Sequence, residues 1–443
     1  MMDDTHLPDD MLRRFVAGTA SRDERQQVVL HVAHGCQACR NRVREILNPP
    51  IPEGAYDAAL DRLETARLRG AAGVSAPAEK AATALLAELD ALPASRREIL
   101  VRNSRRYLCP HLARLLAERS FEMRYQDPRL MLRAARQAAT IADRLVGTTP
   151  DEVAQLADVR TLCASQLCNA LRITGDLGGA EQAMDAALAA LKQGTGDAIL
   201  RGLVSERLGA LRKWQCRYAA AISAYEEATE IFRDFGRRHE LASALVGQAI
   251  ATFSEGDPEG ALALLFEAIP KIEGERDPRL TLAACHSVVS CQISTGQVED
   301  ASLKWIELRF LYEQIGDPLL RLREKWLEGK LLIAQGVIPA GIRLLEKTRE
   351  AYRKKGMAYD AAVIVLEIAQ GHLRLGHLDR VRALISEILP VFRELEVGRD
   401  VLAEFVLLRR AACVQSLRWP ASSHLRSGPA GPSTSEPERG RIS

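Results

Sequence analysis

The sequence predicts an all-α fold, in which a small helical module precedes a right-handed solenoid of helix hairpins about 40 residues long. Three observations support this prediction. Aromatic residues make up only 5% of the chain, and alanine, leucine, glutamate and arginine are abundant, which favours helix over a β-sandwich or barrel. A turn residue, glycine at five of six positions, recurs at intervals of 40 or 41 residues from position 175 to position 376. Histidine and cysteine cluster near the N-terminus.

Composition and charge also limit the possible function. The 443 residues include 60 basic and 58 acidic side chains, so the formal net charge of +2 does not indicate a polycation that binds nucleic acid directly. The apolar stretches are shorter than the roughly 20 residues that span a bilayer. The acidic start MMDDTHLPDD lacks the apolar core of a secretory signal, and nine cysteines are too sparse for a disulfide scaffold. We therefore expect a reduced, cytoplasmic protein without membrane contacts.

The first predicted unit is a module over residues 1–47. Ser21 and Glu24 have the spacing of a capping box, which predicts a helix start. A Cys-x2-Cys pair follows this helix, and a tight turn can bring two such sulfurs to one metal ion. Zinc takes four nitrogen or sulfur ligands in a tetrahedron. The candidate ligands are His6, His31, Cys36 and Cys39, with His34 as the alternative to His31.

Residues 5–47 resemble the zinc-binding anti-sigma factor domain of bacteria, because Cys36-Gln37-Ala38-Cys39-Arg40 matches the end of that family's motif. His31 lies four residues before Cys36, where the family has three. The resemblance implies a structural zinc ion and a sigma factor as one possible partner. The alternative is a plain helix pair with reduced thiols.

The stretch between the two units, residues 48–94, is predicted as the linker NPPIPEG followed by a loose helix over 55–92. Ser95 is then expected to cap a helix that continues to Ser120. Asp127 and Pro128 open another helix that continues to Val146. Residues 96–144 hold twelve arginines and no lysine. We interpret them as a solvated helix face; the alternative is a surface for an acidic partner or nucleic acid.

The repeat is the strongest pattern in the chain. Five of its six turn positions are glycine, at successive intervals of 41, 40, 40, 40 and 40 residues: Gly175, Cys216, Gly256, Gly296, Gly336 and Gly376. A mostly small residue follows each turn after five residues, and a large apolar residue follows after nine. These spacings place both on one helix face, and the glycine permits a left-handed helix end. Each unit is therefore a helix hairpin that buries its apolar face by stacking.

Gly256, Ala261, Leu265 and Ala268 match the signature of the tetratricopeptide repeat, so residues 151–396 resemble that family. The units are longer than the family's usual repeat, as in large bacterial transcription regulators and signalling receptors. The resemblance implies that a protein or peptide partner binds the inner face of the solenoid. The inner positions that we expect to contact it are Asn169, Arg172, Lys213, His286, Trp326, Lys330 and Gln370.

These features predict a non-enzymatic, regulatory interaction scaffold or adaptor. The alternatives are a sigma-factor-binding transcriptional regulator and a peptide-sensing receptor. The chain lacks a phosphate-binding Gly-x4-Gly-Lys-Ser/Thr loop, a His-Glu-x2-His motif and a Gly-x-Ser-x-Gly motif. Leu162 and Leu203 occupy positions where the chaperone-binding members of the repeat family carry cations, so that partner class is not expected. The repeat domain over 95–418 is predicted to end in a capping helix over 399–418, followed by a disordered tail over 419–443.

Overall fold

A computed structural model describes residues 6–47 with gaps at 17–18, 22, 25–26, 29–30 and 32–36, and residues 76–394 except 275–276. The predicted linker at 48–54, the capping helix at 399–418 and the tail at 419–443 lie outside the described residues. So do Cys36 and His34.

Every regular element within the described residues is a helix, which confirms the predicted fold class. The helices before the repeats are α1 Asp9–Val16, α2 Gln37–Leu47, α3 Ala76–Asp90 and α4 Ala94–Asn103. The hairpin helices are α5 Pro110–Glu122, α6 Pro128–Asp143, α7 Pro150–Ile173, α8 Leu177–Leu191, α9 Ala198–Trp214, α10 Tyr218–Asp234, α11 Arg238–Glu255, α12 Pro258–Ala268, α13 Pro278–Ser294, α14 Val298–Ile315, α15 Pro318–Ala334, α16 Ile338–Lys354, α17 Ala358–Arg374 and α18 Leu378–Glu394. None of the helices in these ranges has the length and apolar character needed to cross a bilayer.

The segment before the first hairpin differs from the prediction. The part of the predicted loose helix that the structure describes, α3, packs against α5 and buries Ala82 and Leu89 completely. The single helix expected from Ser95 to Ser120 is wrong. It is divided into α4 and α5, because the chain turns after Asn103 and Pro110, which has no backbone N–H to donate, begins a new helix.

The hairpin turns follow the predicted register. Gly175, Gly256, Gly296, Gly336 and Gly376 all have positive φ. The equivalent Cys216 has a φ of 55° and is the one non-glycine residue in the described ranges with this conformation. Left-handed backbone at these positions ends the first helix of each hairpin, as the spacing predicts.

Close helix crossings within the hairpins depend on small side chains. Ala180, Ala221, Ala261 and Ala301 are all fully buried. The clearest contact is made by Tyr225 of α10, whose ring lies between glycines of α9 and α11. A Cβ atom on the glycine of α11, Gly247, would lie 2.5 Å from two ring atoms of Tyr225. Only a residue without a side chain therefore leaves room for this ring.

The first helices of the hairpins form the inner face of the solenoid. Successive first helices, α7, α9, α11, α13, α15 and α17, pack against one another. Each second helix packs mainly within its own hairpin and against the first helix that follows. Because a curved array brings its elements closer together on the concave side, the first helices lie inside and the second helices outside.

Candidate functional site

The N-terminal module brings together three of the residues predicted to bind metal. One ligand atom from each of His6, His31 and Cys39 lies within 4.8 Å of the others. Cys39 is buried and lies near the start of α2, whereas His6 precedes α1. The predicted fourth ligand, Cys36, lies outside the described residues.

The hydrogen bonds of this cluster match the chemistry of a metal ligand set. The backbone N–H of Leu7 donates to Sγ of Cys39 at 3.4 Å. The Nε2 atom of His31 is buried and has no hydrogen-bond partner among the described residues. Burying an imidazole nitrogen without a hydrogen-bond partner in a protein interior is energetically unfavourable. A histidine that binds a metal ion would have its ligating nitrogen in this state when the ion is absent. The residues present therefore fit a zinc ion.

The scaffold around the cluster is small. Ser21 and Glu24 form the predicted capping box: Ser21 N–H donates to Glu24 Oε2 at 2.8 Å, and Glu24 N–H donates to Ser21 Oγ at 3.2 Å. Asp9 of α1 accepts two hydrogen bonds from the guanidinium of Arg42 in α2, which hold its pKa down at about 2. The buried core consists of Leu12 and a few neighbours. Such a core gives little stability without a metal ion or another crosslink.

The inner face is the second candidate site, and two predicted residues lie in the last turns of neighbouring first helices. Arg172 of α7 donates from Nη2 to Oδ1 of Asn169 at 2.6 Å, and its Nε atom is buried without a partner. Lys213 of α9 lies with Nζ 5.9 Å from the centroid of the Tyr225 ring. Burial, followed by the charges of Arg172 and Arg323, lowers the pKa of Lys213 to about 8.

The other predicted residues of the inner face serve mainly to join helices. His286 and the hydroxyl of Tyr312 form a 2.6 Å hydrogen bond, and burial lowers the pKa of His286 to about 3, so this imidazole is neutral. Lys330 forms a 2.7 Å ion pair with Glu367. Trp326 packs edge-on against a tyrosine, and its Nε1 atom is buried without a partner. Gln370 is half-buried in α17.

Two residues of the inner face were missed by sequence reasoning. Arg323 lies at the repeat position of Leu162 and Leu203, so the 40-residue register could have identified it. Trp214 has 51% of its surface exposed, and its ring centroid lies 5.5 Å from the guanidinium carbon of Arg172. An isolated tryptophan in a repeat suggests core packing, so its exposure could not be read from the sequence.

A contact across the solenoid shows how far the inner face is enclosed. Nη2 of Arg124, which follows α5, lies 2.6 Å from Oδ2 of Asp277 at the start of α13, 153 residues along the chain. The guanidinium of Arg279 lies 4.9 Å from the ring centroid of Tyr125 beside it. The array therefore curves until its first hairpin (α5 and α6) meets its fifth (α13 and α14), and inner positions that are distant in sequence face each other.

Three of the twelve arginines in the stretch over 96–144 form ion pairs with two acidic residues of α3. Arg97 and Arg119 both contact Asp90, at 3.1 and 2.5 Å, and Arg106 contacts Glu88 at 2.7 Å. Several of these arginines therefore attach the arginine-rich segment to α3.

The hairpins and their curvature define a helical-repeat solenoid of the tetratricopeptide-like class. The chain matches no protein-family model and no curated protein. Among solved structures it is similar to aspartyl phosphate phosphatase F from Bacillus subtilis, with 11% identity over 88% of this chain and 96% of that chain and a TM-score of 0.50.

Two further structures share the general architecture. The apo form of RapI has 12% identity over 65% of this chain and 99% of its own, with a TM-score of 0.48. A signal transduction ATPase with numerous domains and a tetratricopeptide-repeat sensor, from Pyrococcus horikoshii, has 12% identity over 92% of this chain and 56% of its own, with a TM-score of 0.43. At these identities the similarity concerns the fold alone.

Proposed function

We propose that this chain is a non-catalytic adaptor of a regulatory system, and that it binds a protein or peptide partner along the inner face of its solenoid. The observation that carries the proposal is that the inner face has an exposed aromatic ring beside unpaired cations, around α7 and α9. Trp214 is half-exposed, and the adjacent Arg172 and Lys213 form no ion pair with any carboxylate in the described residues. A half-exposed aromatic ring beside largely buried, unpaired cations on a rigid concave scaffold is typical of partner-binding surfaces.

The cysteine and histidine side chains that could act in catalysis are held in unreactive states, which supports a non-catalytic role. Burial raises the pKa of the Cys163 thiol to about 12 and that of Cys168 to about 11, so both remain protonated and unreactive at neutral pH. His286 is neutral and hydrogen-bonded to a buried tyrosine. These side chains serve packing rather than nucleophilic or acid–base chemistry.

Site-specific photo-crosslinking tests where the partner binds. A photoreactive phenylalanine replaces Trp214 on the inner side in one variant and Phe266 of α12 on the outer side in another; these residues are 51% and 57% exposed. We expect a partner to be crosslinked, in cells, from position 214 and not from position 266. The same adducts from both positions, or none from position 214, would contradict binding on the inner face.

We further propose that His6, His31 and Cys39, together with Cys36, hold a structural zinc ion in the N-terminal module. The grouping of three candidate ligand atoms within 4.8 Å supports this set. When bound, zinc would crosslink the segment before α1 to the start of α2. The resemblance of this module to anti-sigma domains makes a sigma factor the first partner to test for it.

Metal analysis of the purified, reduced full chain tests the zinc site. We expect about one zinc ion per chain, as for a single four-ligand site. Cys39→Ser and His31→Ala should lose the metal, while His34→Ala and the control His111→Ala in α5 should keep it. Absence of zinc from the wild-type chain, or equal retention in all variants, would leave a plain helix pair as the correct interpretation.

A further inference from the structure

His372 and His377 lie on either side of the turn between α17 and α18, and we call them the histidine pair. Gly376 has a φ of 73°, and this left-handed residue ends α17. The N–H of His377 donates to the carbonyl oxygen of His372 at 2.9 Å, and the N–H of Gly376 donates to that of Leu373 at 3.0 Å. These are the two hydrogen bonds of a Schellman motif, which brings the side chains at its two ends together.

The last hairpin of the described residues differs from the others at this pair of positions. The same outer hydrogen bond recurs at the equivalent turns, where it joins Leu171 and Asp176, Arg212 and Arg217, Thr252 and Asp257, Gln292 and Gln297, and Leu332 and Val337. None of those pairs supplies two of the nitrogen or sulfur ligands that zinc prefers. The turn therefore fixes the geometry in every hairpin, and this hairpin adds two metal-binding side chains.

The separation of the two imidazoles matches a shared metal ion. Their Nδ1 atoms face each other at 3.3 Å, and the ring centroids lie 5.6 Å apart. This separation is long for a hydrogen bond, since N–H donors typically lie about 2.7–3.2 Å from their acceptors. Two nitrogens bound to one tetrahedral zinc ion at about 2.0–2.1 Å lie about 3.3–3.4 Å apart. A square-planar ion would need them closer, because its ligand angles are about 90°.

The surroundings of His372 leave Nδ1 as its available ligand atom. The Nε2 atom is buried and has no partner in the described part of the chain, so an ion in solvent cannot reach it. Burial, followed by the charge of Arg380, lowers the pKa of His372, and Glu346 acts in the opposite direction. The imidazole is therefore neutral at neutral pH, which is the form that binds metal. His377 is exposed, so an ion reaches the histidine pair directly from solvent.

We propose that the Nδ1 atoms of His372 and His377 together bind one zinc ion. Among the described residues, no further histidine, cysteine or carboxylate joins them in a ligand group, so water fills the remaining positions. Bound zinc would crosslink the end of α17 to the start of α18. This site is separate from the N-terminal one, and it does not depend on the adaptor function.

Equilibrium dialysis of the full chain against zinc chloride tests the proposal. Two protein ligands hold zinc less tightly than four, so the histidine pair should fill on titration, after the purified chain has been analysed for its retained metal. The wild-type chain should then bind one zinc ion more than His377→Gln, a change at an exposed position that should leave the fold intact. The control His111→Gln in α5 should bind as much as the wild type.

The affinity of the variants shows whether both rings are ligands. Loss of an outer-shell partner alone costs about 10–100-fold in metal affinity, so loss of a ligand should cost about tenfold or more. We expect this loss at the turn for both His372→Gln and His377→Gln. Equal zinc uptake by the wild-type chain and His377→Gln would overturn the proposal.

Histidine labelling of the wild-type chain gives a second readout that does not depend on how the variants fold. Diethyl pyrocarbonate is added with and without zinc, and the modified histidines are quantified by mass spectrometry. Zinc should protect His377 and leave His111 unchanged. Equal protection of these two residues would show nonspecific binding and overturn the proposal. Protection of His6 and His31 without His377 would support the N-terminal site and rule out this one.

Hydrogen exchange shows whether the ion crosslinks the turn. Zinc should slow the exchange of amides at the end of α17 and the start of α18 in the wild-type chain, because contacts in a repeat array are between neighbours. The same amides in His377→Gln should be unaffected by zinc. Equal slowing in both chains would place the ion elsewhere and contradict the crosslink.

Discussion

Replacing Gly247 of α11 by alanine tests whether the ring of Tyr225 sets the spacing between hairpins. The new Cβ atom would lie 2.5 Å from both Cε1 and Cζ of the ring and 2.8 Å from its hydroxyl oxygen. The ring cannot retreat, because on its other side a Cβ on Gly209 would already lie 2.9 Å from Cδ2. Both helices would therefore have to separate, or the ring would have to leave its position.

The expected change in the free energy of unfolding follows from two opposing effects. Alanine stabilises a helix interior by about 1 kcal/mol relative to glycine. Overpacking a tight crossing costs about 1–3 kcal/mol, and contact with a rigid ring held on both sides belongs at the upper end. We expect Gly247→Ala to lower the free energy of unfolding by about 2 kcal/mol overall.

Urea unfolding, monitored by circular dichroism, measures this loss of unfolding free energy. Hydrogen exchange shows where in the array the loss occurs. Because repeat contacts are between neighbours, the faster exchange should be confined to the hairpins around α9–α12. Gly178→Ala in α8 is the matched control, since nothing lies within 4 Å of its Cβ position. That change should be neutral or stabilise by up to about 1 kcal/mol.

A second control removes the ring itself. In a Tyr225→Leu background, Gly247→Ala should no longer destabilise the chain, because no ring atoms meet the new methyl group. Wild-type stability of Gly247→Ala alone, or an equal loss with and without the tyrosine ring, would refute the steric explanation.

Three further predictions concern helix packing, turns and charge. Ala261→Leu at a fully buried crossing should cost about 1–3 kcal/mol in urea unfolding, whereas Glu259→Leu on the exposed side of the same helix should have little effect; equal losses would contradict the register. Cys216→Gly should stabilise the chain by about 1 kcal/mol, and Gly256→Cys should destabilise it by a similar amount, because glycine adopts the left-handed backbone without strain. Thermal unfolding should therefore shift the melting temperatures of the two variants in opposite directions; shifts in the same direction would contradict this explanation. An NMR titration of Asp9 should give a midpoint of about 2, and a higher midpoint when Arg42 is replaced by glutamine, with the ion pair to Arg13 still in place. The ion pair of Asp9 thus contributes to stability above its unfolded-state pKa and is lost as the pH falls through about 2; a midpoint unchanged by the substitution would exclude the pair.

Properties set by local conformation could be predicted from the sequence. The turn glycines recur at a fixed interval, and a left-handed helix end needs glycine wherever it occurs, so Gly256 and its equivalents identify the hairpins directly. The same holds for the buried Ala261, because a close crossing excludes a larger side chain. The capping box of Ser21 and Glu24 is also a local pattern, and both of its hydrogen bonds form.

Features that depend on how elements pack could not be predicted in this way. The segment over 76–90 has a weak apolar pattern, yet α3 buries Leu89 against α5, because burial depends on the neighbouring surface as well as on periodicity. The role of His286 is similar: its register position faces inward, and only the packed structure joins it to Tyr312.

The sequence by itself determined the repeat, its helix boundaries within a few residues, and the candidate residues at each inner position. Only the tertiary structure decided which of those residues retain unpaired charge. The reason is geometric: a small rotation between successive hairpins accumulates along the array, until Arg124 meets Asp277. Such distances between residues far apart in the chain depend on every intervening helix crossing, and no local pattern encodes them.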